Sequence, residues 1–236
     1  MNLRAAFAIL FLVLAMPAAA NERLKVAATF SILGDIAARV GGDKIELTTL
    51  VGPGGDAHVY QATAADARAV AQARVLVVNG LAFDDWALRL HRSSASKAVI
   101  AVASATVQPL DGHGDHDHAK ADPHAWQDVR NAIAYAATIE RALAAADPAN
   151  ALAYQANAAA YLGELKALNR EIRAAFAAIP LSRRNVVTAH DSFAYFAAAY
   201  EVPFASALGT STGEQVSAKT LARLITNIRQ TGIKAL

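Results

Sequence analysis

From Leu24 onward the chain repeats one pattern: a short apolar run, then a turn signal, then a segment whose apolar residues recur at helical spacing. Repeats of this kind return successive strands parallel, because each helix must carry the chain back along a face of the sheet. The pattern predicts an α/β fold with parallel sheets covered on both faces. In a first region the strand runs are Leu24–Phe30, Ile45–Val51, Val75–Val78 and Val99–Val102. Ser31 reads as the cap of a helix over 31–40 ended by Gly41 and Gly42, and Thr63 with Asp66 reads as a capping box for a helix reaching Ala73. A second region predicts a strand over 185–189, a helix over 192–200, a strand over 204–208 and a helix over 217–231.

Between the two regions, Asp122-Pro123 reads as the N-cap and first residue of a helix running to about Ala146, and Asp147-Pro148 repeats the signal. Residues 148–179 then carry Leu162, Leu165, Leu168, Ile172, Phe176 and Ile179 at mostly three- and four-residue spacing, one face of an unusually long helix. Its place between two strand–helix regions makes it a connection between lobes. The expected division is residues 21–147 for an N-terminal lobe, 148–179 for the linking helix and 180–236 for a partial C-terminal lobe. The first lobe contains a low-complexity loop, 111–121, with His113, His116 and His118 set among Asp and Gly.

Composition narrows the chemistry. There is no cysteine, which excludes disulfides, thiolate catalysis, cysteine zinc sites and a lipid-modified cysteine, so any metal must be held by nitrogen and oxygen. The net charge of +2, from 22 basic and 20 acidic residues, concentrates no excess that would suit a nucleic acid, and no such partner is expected. Residues 1–20 combine Arg4, an apolar run over 5–16 too short to span a bilayer, and the small residues Ala18 to Ala20. They read as a cleaved secretory signal that delivers the protein to a periplasm. At the other end, Ile233-Lys234-Ala235-Leu236 resembles the opening of another buried strand, so the chain is expected to be truncated and its second lobe incomplete.

Three of the seven histidines occupy equivalent places: His58 in the loop after a strand, His124 in the first turn after Asp122-Pro123, and His190 at the carboxyl end of a strand. In open α/β sheets ligands bind at that edge. Imidazole suits zinc, copper, iron or nickel, and three imidazoles leave one tetrahedral position for oxygen. His91, beside Arg92 after a helix, reads as an ordinary surface residue. Gly52 to Gly55 lack the Lys-Ser/Thr of a nucleotide loop, and the adjacent His190, Asp191 and Ser192 point in different directions and cannot form a hydrolytic relay among themselves. Asp191 reads as a helix cap or as an orienting partner for a nearby imidazole.

The stretches Val51-Gly52-Pro53-Gly54-Gly55-Asp56-Ala57-His58-Val59-Tyr60, Asn79-Gly80-Leu81-Ala82-Phe83-Asp84-Asp85-Trp86, Asp122-Pro123-His124-Ala125-Trp126 and Thr188-Ala189-His190-Asp191-Ser192-Phe193 closely resemble the zinc/manganese solute-binding proteins of ABC transporters, the ZnuA/TroA type. The resemblance runs in order along the whole mature chain. It implies two α/β lobes joined by a rigid helix, a metal in the cleft, and His58, His124 and His190 as ligands. It also implies an acidic fourth ligand from a later segment, for which water or Glu214 would substitute here, and no catalysis. Manganese-directed members tend to carry a carboxylate where His190 stands, so the expected cargo is Zn2+ in preference to Mn2+. The expected partners are a membrane permease with its ATPase and a periplasmic zinc chaperone, with the receptor monomeric. The histidine loop resembles that of zinc-type members and reads either as an accessory zinc carrier or as a solvated spacer. A secreted zinc hydrolase and a manganese receptor or adhesin are the competing readings.

Overall fold

A computed structural model describes residues 22–112, 121–213 and 218–231. The expected signal sequence, His113, His116, His118, Glu214 and the final residues 233–236 lie outside the described residues.

The first sheet is parallel throughout. It contains β1 (Leu24–Phe30), β2 (Ile45–Val51), β3 (Val75–Val78) and β4 (Val99–Val102) in the order β2-β1-β3-β4. The order reverses between β1 and β3, the topological position at which such sheets open a crevice beyond their carboxyl ends. Side chains alternate as strand geometry requires. Val26, Ala28, Val75 and Val77 face helices α1 (Ser31–Gly41), α4 (Val129–Ala146) and α5 (Ala151–Ala177), whereas Ala27, Leu76 and Val78 face α2 (Ala64–Gln72) and α3 (Asp85–Ser93). A second parallel sheet pairs β5 (Val186–His190) with β6 (Phe204–Leu208), separated in sequence by α6 (Ala194–Tyr200) and followed by α7 (Ala218–Thr231). No helix of the described residues is long and apolar enough to cross a membrane.

The four strands of the first region and the capping box match the sequence expectation; in the box, Asp66 N donates to Thr63 Oγ1 and Thr63 N to the Asp66 carboxylate at 2.7 Å. Gly42, at φ 55°, ends α1 as expected. Ser31 does not cap that helix. The strand runs into it without a linker, so Phe30, extended and buried in the core, occupies the N-cap position.

Asp122-Pro123 does not start α4 either. The Asp122 carboxylate is turned toward His124, a 3-10 turn follows over Ala125–Gln127, and Asp128 caps α4 by accepting from Arg130 N at 2.8 Å. Asp147-Pro148 likewise opens a 3-10 turn, Pro148–Asn150, before α5.

At 27 residues α5 extends about 40 Å. Tyr154 and Ala158 are buried in the first core, whereas Leu165 is buried in a separate one with Val129, Tyr200 and Val202. One helix thus serves both cores. The apolar stripe is only partly covered, since Leu168 and Ile179 remain exposed.

Candidate metal centre

Each of the three histidines is delivered by a strand end or the loop beyond it. His58 follows β2 through a tight turn in which Gly55 N donates to Gly52 O and Gly54 adopts φ 80°, a conformation open to glycine. The Asp56 carboxylate accepts His58 N at 2.9 Å, and the His58 ring stands edge-on to Phe83. His190 is the last residue of β5, in register with Leu208. His124 precedes the 3-10 turn rather than lying in the first turn of α4, and it is 1% exposed.

Asp122 fixes His124 twice, accepting its backbone N at 2.9 Å and ring Nδ1 at 2.7 Å. The second contact assigns the ring proton to Nδ1 and leaves Nε2 as a lone-pair donor, the carboxylate–imidazole arrangement that orients metal-binding histidines. Beneath it, Asn79 Nδ2 donates to Pro123 O at 2.9 Å, and Asn79 Oδ1 accepts from Tyr135 OH at 2.6 Å. Asp84, also buried, accepts from Thr29 Oγ1, Asn79 N and Gly80 N. The loop after β3 is thereby tied to the segment that carries His124.

The three rings converge. His124 Nε2 lies 3.2 Å from His58 Nε2 and 3.3 Å from His190 Nε2, and ligand atoms of all three lie within 4.8 Å of one another. Two nitrogens bound tetrahedrally at about 2.0 to 2.1 Å stand roughly 3.3 to 3.4 Å apart, so the two separations from His124 fit two edges of a zinc tetrahedron. Burial first, then the neighbouring His124 and His190, push the His58 ring down to about 4; burial and His124 push His190 down as well. Both rings are therefore held in the neutral form that binds metal. Burial pushes Asp56 up, but hydrogen bonds from Thr212 Oγ1 and His58 N, with the nearby imidazoles, hold it below the usual carboxylate range. It keeps its negative charge beside the site.

A pH dependence follows. The folded pKa of His58 lies below its ordinary 6.5, so its contribution to stability is present above pH 6.5 and lost as the pH falls toward 4. Melts of metal-free protein between pH 7.5 and 4 should show the midpoint dropping through this window, with a shallower drop in His58→Ala. A slope unchanged by that substitution would contradict the assignment.

His91 lies outside the cluster, within the last turn of α3 rather than after it, and is half-buried with its Nε2 3.0 Å from Ala98 O. Asp191 does not cap α6, whose N-cap is Phe193; its backbone N donates to Gly209 O. Its charge acts on the adjacent His190, while the carboxylate that holds His124 is Asp122, which sequence reading spent on a helix cap. Asn79, Asp84 and Tyr135 were also missed as a unit, although Asn79-Gly80 after a buried strand marks a turn whose polar groups need partners.

The family described as zinc-uptake complex component A, periplasmic (ZnuA), matches residues 26–236. The chain is 35% identical over 224 residues to the metal ABC transporter substrate-binding lipoprotein FimA of Streptococcus parasanguinis, covering 92% of this chain and 72% of that protein. It is 34% identical, over the same shares, to the manganese ABC transporter substrate-binding lipoprotein PsaA of Streptococcus pneumoniae. Among solved structures, the Mn-bound periplasmic metal binding protein from Candidatus Liberibacter asiaticus superposes with a TM-score of 0.79 at 27% identity, covering 90% of this chain and 78% of that one. A structure of TroA, studied for its metal binding specificity, gives 0.83 at 26% identity, covering 90% and 75%. These relatives are binding components of transporters and not enzymes, and the hydrolase reading is set aside with them. Matched over nearly its whole described length, the chain belongs to the ZnuA family of metal-binding proteins.

Proposed function

We propose that this protein is the extracytoplasmic receptor of an ABC-type metal importer, that it captures Zn2+ at His58, His124 and His190, and that it hands the ion to a membrane permease driven by an ATPase. The observation that carries the reading is the approach of His58 Nε2 and His190 Nε2 to His124 Nε2 at the spacing of two tetrahedral edges, the His124 ring being locked as a lone-pair donor by Asp122. Residues 21–147 and 180–236 are the two lobes in this reading, with 148–179 joining them. Residues 1–20 act as a cleaved export signal in this reading, on the basic Arg4, the apolar run over 5–16 and the small residues Ala18 to Ala20. The loop over 111–121 serves as an accessory zinc carrier.

A manganese reading has its own support, because PsaA is named for manganese and a related structure holds that ion. The donor set argues the other way: three nitrogens suit zinc better than an ion that prefers oxygen. Trp126 makes the comparison measurable, since its ring lies 5.3 Å from that of His124 and the chain has only two tryptophans. Titrating metal-free protein with each ion and following tryptophan fluorescence should give one tight site, with Zn2+ bound at least about a hundredfold more tightly than Mn2+. Equal affinities would remove the zinc preference and leave a receptor for divalent metals; no binding of either ion would remove the receptor.

A further inference from the structure

Tyr195 is carried by α6 beside the second sheet, yet it is 3% exposed in the core built around β1, α1 and α4. Its neighbours on α6, Ala199 and Tyr200, are buried in the other core. Among the described residues beyond α5 it is the only one buried in that first core. Its hydroxyl donates to Asp122 O at 2.8 Å and accepts from Leu110 N at 3.0 Å. Those two segments are themselves joined, Asp122 N donating to Leu110 O at 2.8 Å. One buried oxygen therefore closes a junction of three chain segments.

Two of those segments carry metal-site histidines. Asp122 is two residues before His124 and holds its ring, and Tyr195 is five residues after His190 on the same connection. His124 and His190 belong to different sheet regions, so no strand register sets their separation. Two α6 hydroxyls bridge the two regions instead, Tyr200 at the Val129 backbone and, nearer to both histidines in sequence, Tyr195 at Asp122 O. The corresponding tie on the His58 side, Thr212 Oγ1 to Asp56 at 2.7 Å, is exposed, where water competes for both partners.

We infer that Tyr195 is a positioning residue of the metal site: its hydroxyl holds His190 at bonding distance from His124, gathering the donors before the ion arrives. The inference rests on the reading of the three histidines as ligands. Tyr195→Phe removes one oxygen, keeps the ring in place, and deprives Leu110 N and Asp122 O of their shared partner. Zn2+ affinity, measured by competition with a chromogenic chelator, should fall about tenfold, the loss typical of a group that orients a ligand.

A merely structural role would weaken binding whatever donors remain, so a double-mutant cycle decides. In a His190→Ala background, Tyr195→Phe should cost less than about twofold; in a His58→Ala background the cost of about tenfold should persist. A full cost in the His190→Ala background, or none in the otherwise unchanged protein, overturns the inference while the ligand reading stands. An unchanged Zn2+ affinity in His190→Ala alone overturns the ligand reading, and the inference with it. Pulsed EPR on frozen Cu2+-loaded protein gives a readout that does not depend on thermal stability: the imidazole nitrogen couplings are expected to differ between Tyr195→Phe and the unchanged protein, and identical couplings would overturn the inference.

Discussion

His124→Ala is expected to weaken zinc binding by about a hundred- to a thousandfold. Apparent binding energies of four-donor zinc sites run to about 10 to 16 kcal/mol, or roughly 2.5 to 4 kcal/mol per donor, which is that range of affinity. His124 should stand at its upper end for two reasons. Its Nε2 is the nitrogen that both other rings approach, and at 1% exposure its site admits little water to replace the lost donor. The substitution also strips Asp122, itself 1% exposed, of the ring it holds and leaves only the backbone N of residue 124 to satisfy a buried carboxyl, so the metal-free protein should melt earlier as well. His58 and His190 are only half-buried, and a water can take part of their role; their alanine variants should lose less. His91→Ala is the control and should bind zinc within about twofold of the unchanged protein, because its ring serves Ala98 O and no ligand. Chelator competition on the four variants decides the matter, and equal losses at His91 and His124 would sink the site.

The site was legible where chemistry and topology coincide, and obscure where one side chain had two local options. Strand ends and the loops after them are where a parallel sheet offers ligands, so placing His58 and His190 there required only the strands. Those strands were plain because β1 and β3 are buried on both faces and their sequences are nearly unbroken apolar runs. Thr63-Asp66 was plain because a capping box is closed within four residues. Asp122 was misread for the opposite reason. An aspartate before a proline satisfies the rule for a helix start, and nothing local says that its carboxylate instead reaches the ring two residues on. The true cap, Asp128, carries the same signature without the proline. Tyr195 was invisible to periodicity, since one position on a seven-residue helix does not reveal which of two cores it enters. In each miss a contact distant in sequence, or a turn too short to be periodic, outweighed the local preference.

The buried floor of the site yields the second large effect, on stability. Asp84→Ala is expected to destabilise the protein by about 3 to 5 kcal/mol, because one 1% exposed carboxylate answers three donors, Thr29 Oγ1 at 2.6 Å, Asn79 N at 2.6 Å and Gly80 N at 3.0 Å. Burial pushes the Asp84 carboxyl up, against hydrogen bonds that pull it down. The loop it holds is strained: Gly80, Leu81 and Ala82 all have positive φ, at 83°, 54° and 59°, a conformation that costs Leu and Ala about 1 kcal/mol or more each unless the surroundings impose it. Without the carboxylate, the two backbone N–H groups lose their acceptor and the left-handed stretch loses its anchor. Thr29 suffers less, since a hydroxyl can rotate to another partner. For a chain of this size 3 to 5 kcal/mol corresponds to a fall in Tm of about 6 to 20 °C. Asp84→Asn keeps one acceptor oxygen and presents an amide N–H2 to the remaining donor, so its melt should fall between the two. The damage should also reach the metal, because Asn79 is the donor to Pro123 O beside His124; zinc affinity in Asp84→Ala should drop about tenfold although no ligand has been touched. A melt within about 2 °C of the unchanged protein would mean that the loop after β3 is held by its packing against Val102 and Ser104 rather than by Asp84. A lowered melt with undiminished zinc affinity would mean instead that the floor supports the fold without placing His124.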